Sequence, residues 1–141
     1  MFRNLAIIFA LSFLPPLAVA EDNLMFYNFL VGDYLLIGKA LDSDETYTGK
    51  VRLYLEDDAL KVHRTINGKT VTGNAALETA LHGEKTVLRI RFTENKVKYE
   101  KTCLSQTDLD NYARLSCYLY QPRKSTKKPG LEALFYDHEA K

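Results

Sequence analysis

Residues 47–77 read YTGKVRLYLEDDALKVHRTINGKTVTGNAAL, and this stretch decides the fold. Along 47–56, Tyr47, Gly49, Val51, Leu53 and Leu55 alternate with Thr48, Lys50, Arg52, Tyr54 and Glu56. Successive side chains of a strand point to opposite faces, so this period of two marks a half-buried strand. Asp57-Asp58 turns the chain into a second run, 60–66, and Asn67-Gly68 turns it again into a third, 71–77. A two-residue hairpin needs positive φ at both positions. Asn-Gly tolerates that at little cost, which makes it the strongest local hairpin signal.

The same grammar extends to both sides. Gly32-Asp33 opens a run at 34–39. After a loop at His82-Gly83 comes 86–92, with Leu88, Ile90 and Phe92 on one face and Arg89 and Arg91 on the other. Glu94-Asn95 turns into 96–103; then come 113–120, a basic loop bounded by Pro122 and Gly130, and a last run at 131–136. About eight short runs with mostly short connections predict an all-β, antiparallel up-and-down meander. No crossover helix is present to build a parallel sheet. Closing the meander removes unpaired edges, so the expected form is a small barrel or a strongly curled sheet. The one predicted helix, 23–31, is too densely apolar for an exposed helix and is expected to plug one end.

The chain has 141 residues, 19 of them basic and 18 acidic. Its first twenty read as an export signal: Arg3, an apolar run from Leu5 to Leu14, Pro15-Pro16, and small residues at Ala18-Val19-Ala20. The apolar run falls short of the ~20 residues that span a bilayer. Removing Arg3 with the signal leaves 18 basic against 18 acidic residues in a single expected domain, 21–141. Zero net charge argues against nucleic acid as a partner. No later segment is apolar enough for a transmembrane helix, so the expected product is periplasmic or secreted. The two cysteines, Cys103 and Cys117, end two runs joined by a polar loop, and an oxidising compartment favours a disulfide between them. A pair of reduced buried thiols is the other reading.

The segment Phe29-Leu30-Val31-Gly32-Asp33-Tyr34 places an apolar plug before Gly-x-aromatic on the first strand. It resembles the opening of lipocalin-type barrels. Tyr47-Thr48-Gly49 and Gly130-Leu131-Glu132 are similar to small exported bacterial barrels. The chain departs from the lipocalin pattern in carrying Tyr34 where tryptophan is usual, in lacking a long C-terminal helix, and in its shortness. The resemblance implies a calycin-type barrel and a binding role, and names no ligand.

Catalytic constellations are not indicated. There is no Gly-x-Ser-x-Gly elbow, and a disulfide would remove both thiols from Cys–His chemistry. His63, His82 and His138 are too scattered for a zinc site. Asp42-Ser43-Asp44-Glu45 lacks the glycine and distal glutamate of a calcium loop and reads as a solvated turn. No enzyme activity, cofactor or metal is expected.

Two sets of residues remain as binding candidates. Arg64 breaks its strand's alternation, sharing a predicted interior face with Leu60, Val62 and Ile66. Either it anchors a ligand in an apolar cavity, or a bulge turns it outward, or it lies at the rim. Phe92 and Tyr99 are the large inward aromatics expected beside such a ligand. Lys101 is also inward by parity, close enough to the strand end to reach water. Gly49, Gly73, Ala75 and Ala113 are small and inward; they either leave a cavity or let large neighbours fill the barrel. The second set is a surface: Arg123, Lys124, Lys127 and Lys128 in the basic loop, with Tyr118, Tyr120 and Arg114 on the outer face of the preceding strand. Such a patch suits an anionic ligand or an acidic protein. The expectation is a non-enzymatic periplasmic binding module for a small apolar or amphiphilic ligand. The alternative is a protein-binding inhibitor or immunity protein directed at a cell-wall hydrolase or toxin.

Overall fold

The computed structural model describes residues 21–105 and 113–140; the expected export signal lies outside them. One helix, α1 (Glu21–Leu30), precedes eight strands: β1 (Gly32–Lys39), β2 (Thr46–Glu56), β3 (Ala59–Ile66), β4 (Lys69–Ala80), β5 (Lys85–Glu94), β6 (Val97–Ser105), β7 (Leu115–Tyr120) and β8 (Gly130–Tyr136). Each strand pairs antiparallel with the next, and β8 returns to β1, closing a barrel in sequence order. Among the described residues no helix is long and apolar enough to cross a membrane.

Three of the hairpins turn on two residues with positive φ: Asp57-Asp58, Asn67-Gly68 and Asn95-Lys96. All three take the mirror-image turn whose twist matches the strands it joins. The last turn sits one residue later than Glu94-Asn95, because Glu94 still pairs with Val97 on the β5–β6 ladder. The remaining strand ends differ from the sequence reading by a few residues, most at β4, where three residues past Leu77 continue the ladder to Lys85.

Connections alternate between the two ends. The base holds α1, the Asp57-Asp58 turn and the short 3-10 turn Leu81–Gly83. The mouth holds the 40–45, 67–68, 95–96 and 121–129 connections. α1 closes the base as expected. Its Leu30 is fully buried, the Tyr34 hydroxyl donates to the Leu30 carbonyl at 2.6 Å, and the Leu77 N–H donates to the Tyr27 hydroxyl at 3.1 Å. Above the plug lies an apolar layer built from Leu36, Val51, Leu53, Leu60, Val62, Leu88, Ile90, Leu115 and Leu134. Cys103 and Cys117 are directly opposed on β6 and β7 and form a buried disulfide.

At two of the small inward residues, large neighbours take up the space beside the backbone. A side-chain carbon at Gly49 would meet Ile66, and one at Gly73 would meet Phe92 and Val62. Ala113 precedes β7 instead of lying within it.

Candidate functional site

Arg64 is inside. Its place in the β2–β3 ladder, opposite Val51, is unbroken, so no bulge turns it out, and it is 6 % exposed. Lys101 is also fully buried, which corrects the expectation that it reaches water. It sits mid-strand on β6, and the ladder to β7 extends on both sides of it. The residue that makes both burials tolerable is Glu132 on β8, 2 % exposed. Arg64 donates from Nε and Nη2 to Glu132 Oε1, at 3.1 and 2.7 Å. Tyr47 donates its hydroxyl to the same oxygen at 2.6 Å, and accepts from Arg64 Nη2 at 3.3 Å. Lys101 Nζ closes on Oε2 as an ion pair. A buried carboxylate is costly alone; here two cations and a phenol surround it.

Register explains how Tyr47 reaches Glu132. Both are opposite Gly38, one on β2 and one on β8. With no side chain at Gly38, the tyrosine ring lies across β1; a Cβ there would fall 2.4 Å from the ring. Glu132 is also opposite Cys117, so the disulfide borders the ion cluster.

Electrostatics follow from this crowding. Burial raises the Glu132 carboxyl, but Lys101 and Arg64 more than offset it and hold the group below its ordinary value. Burial opposes the charge on Arg64, while Glu132 and Tyr47 outweigh it and hold the guanidinium above its usual range. Burial, with help from Glu132, pushes the Tyr47 phenol well up. Lys101 is pulled below its ordinary value by burial and by Arg64, against the pull of Glu132. Glu132 therefore stays a carboxylate with both oxygens engaged, a structural counter-ion and a poor proton shuttle.

Above this cluster a cavity of about 300 Å³ opens at the mouth. Tyr47, Arg64, Ile66, Phe92, Glu94, Tyr99 and Leu119 line it. The three residues expected to hold a ligand, Arg64, Phe92 and Tyr99, thus share one cavity. The Phe92 and Tyr99 rings stack with centroids 5.4 Å apart, and Arg64 lies 5.2 Å from the Phe92 centroid, within cation–π range. A second, larger groove of about 800 Å³ runs outside the same wall. It arises because the β4–β5 ladder stops at Gly73 opposite Phe92, leaving Lys69 to Thr72 paired with β3 only. Thr70, Thr72, Arg91, Lys98 and Arg123 line this groove, which shares Phe92 and Tyr99 with the cavity.

Protein-family models, curated proteins and solved structures offer no match to this chain.

The surface residues singled out above do not form one patch. Arg114 packs at the base, its guanidinium 4.2 Å from the Tyr136 centroid and 4.8 Å from that of Phe29. Tyr120 is tied into an outer-face network, accepting from Arg89 at 2.6 Å and donating to Glu100. Tyr118 is exposed. The basic loop is held down by the acidic turn. The N–H groups of Lys127 and Lys128 donate to Asp42 at 2.7 and 2.8 Å, and Asp44 pairs with Lys39 and Lys128. The backbone donors hold the Asp42 carboxyl below its ordinary value, and the hydrogen-bonded lysines do the same for Asp44. Arg123 and Lys124 remain at the rim. Tyr54 is placed away from all of these, bonded at 3.0 Å to His63 on the outer face of β3.

Glu132 was not singled out from the sequence. A signal was present: Glu132 falls between Gly130 and Leu134 on the face that Tyr136 also shares, so parity alone puts it inside.

Proposed function

We propose that this chain is a non-enzymatic binding barrel of lipocalin-like type, exported to the periplasm, that holds a small apolar or amphiphilic ligand in its mouth cavity. The observation that carries the reading is the cavity itself. It is concave, walled by aromatic and aliphatic side chains, and contains one guanidinium whose orientation is fixed from behind by Glu132 and Tyr47. Ligand sites commonly combine an apolar wall with a few placed polar groups, and about 300 Å³ is the lower end of their size range, so the ligand is small. The engaged carboxylate of Glu132 favours binding over catalysis.

Native mass spectrometry of the protein purified from periplasm tests the reading. A small-molecule adduct lost on denaturation is expected; a bare polypeptide mass after purification without detergent overturns it.

One feature favours the alternative, a protein-binding inhibitor or immunity protein. Leu35, Ile37 and Leu131 are exposed on adjacent outer faces of β1 and β8, and Leu35 and Ile37, with Phe135, line an apolar groove. Exposed apolar surface of this kind commonly marks an interaction site. A stoichiometric protein in place of a small adduct would decide for that alternative.

A further inference from the structure

The donor inventory of Arg64 points to the chemistry of the ligand. A guanidinium has five N–H donors in a fixed fork. Nε and Nη2 are spent on Glu132 and Tyr47. Nη1 faces the mouth, where its partner is Glu94 Oε2 at 3.5 Å, an ion pair looser than those behind it. Arg64 and Glu94 both line the cavity, so this pair stands where a ligand's polar end would lie.

The partner of that free edge narrows the class. Two buried basic side chains, Arg64 and Lys101, share one carboxylate, Glu132, through its two oxygens. Glu94 at the rim supplies the anion that faces Arg64 Nη1. A neutral ligand that pushed Glu94 aside would leave Nη1 without an anionic partner, and a cationic one would repel the guanidinium. An anionic head group takes the place of Glu94.

Glu94 is also built to leave. It is the last residue of β5, its side chain is 25 % exposed, and the β5 ladder to β4 has already ended at Phe92. On its outer side Lys69 Nζ lies 3.9 Å from Glu94 Oε1 and is half exposed, so a displaced carboxylate keeps a partner in water.

Resting on the binding reading above, we propose that the ligand is a small carboxylate with an alkyl chain or single ring. Its head group docks on Arg64 Nη1 and displaces Glu94, the built-in counter-ion, toward Lys69. Its apolar part lies against Ile66, Leu119 and the stacked Phe92–Tyr99 pair.

Calorimetric titration of the intact mature protein with octanoate, octanol and octylamine tests this, alongside Glu94→Gln, whose fold is checked by circular dichroism. Octanoate should bind, octanol about tenfold or more weakly, and octylamine not measurably, the scale set by a charge-assisted hydrogen bond. Glu94→Gln removes the internal competitor and should tighten octanoate about tenfold, on the same scale. Octanol binding as tightly as octanoate, or octanoate weakened by Glu94→Gln, overturns the carboxylate inference and leaves the binding barrel standing. Failure of all three probes to bind overturns both.

Discussion

At the base of the barrel, Leu30, Tyr34, Leu53, Leu60, Leu115 and Leu134 are all buried to within one per cent of completely. At the mouth, the interior layer contains Tyr47, Arg64, Lys101 and Glu132. The base gains free energy by removing apolar area from water, ~1.5–3 kcal/mol for each large side chain. The mouth cluster spends the desolvation energy of three ions and recovers it only while every partner stays in place. The difference separates a half whose side chains serve stability from a half whose polar groups hold a guanidinium in position. It also predicts that the two halves fail differently: base substitutions should cost in graded amounts, and mouth substitutions should cost all or little.

The largest effect should come from Glu132→Ala. It leaves Arg64 and Lys101 buried without a carboxylate, which should cost about 4 kcal/mol in urea or thermal unfolding. Pairing it with Lys101→Met should recover part of that loss; no recovery would mean the cluster is not a coupled unit. The sign of the pH dependence is set by the depressed Glu132 carboxyl. Its contribution is fully present above the ordinary value of 4.5 and fades as pH falls below it. Unfolding curves of the Glu132→Ala protein should therefore lose part of the acid dependence below that pH.

Breaking the disulfide by replacing Cys103 and Cys117 with alanine should cost about 3 kcal/mol, from the loop it closes between cysteines 14 positions apart in the sequence. The loss should be graded, with the barrel still folded. Gly38→Ala comes next, at about 2 kcal/mol, because the new methyl strikes the Tyr47 ring. Its diagnostic readout lies at the mouth: with the ring displaced, the phenol bond to Glu132 is lost and Tyr47 should titrate closer to its ordinary value of 10.0 by ultraviolet absorbance.

The same contrast explains what could be read in advance. The strand framework is legible because alternation is local. Leu88, Ile90 and Phe92 announce their face within a few residues, and Asn67-Gly68 announces its turn in two. Arg64 was visible for the same reason, as a charge on an apolar face. What it does there was not visible, because its partner lies 68 residues away and meets it only through barrel closure between β8 and β1. Parity near a strand end makes Lys101 read as water-reaching on the same account: its burial depends on Glu132. The surface patch dissolved because outward parity says which side a residue faces and nothing about its partners. Arg114 folds onto Tyr136 and Phe29, and Asp42 takes the backbone of the basic loop.

The smallest expected effect tests the boundary between the halves. Asp42→Ala removes the acceptor that the N–H groups of Lys127 and Lys128 share, while the Lys128 carbonyl still accepts from residue 42 at 3.0 Å. Asp42 is solvated, so the melting temperature should barely move. Hydrogen exchange should nevertheless speed at residues 127 and 128, because those amides lose their only side-chain acceptor among the described residues. Exchange at Leu53 or Leu134 should stay unchanged, since neither touches the mouth loops. If deep amides at the base also speed up, the loops at the mouth brace the whole barrel, and the division between a stabilising base and a positioning mouth is wrong.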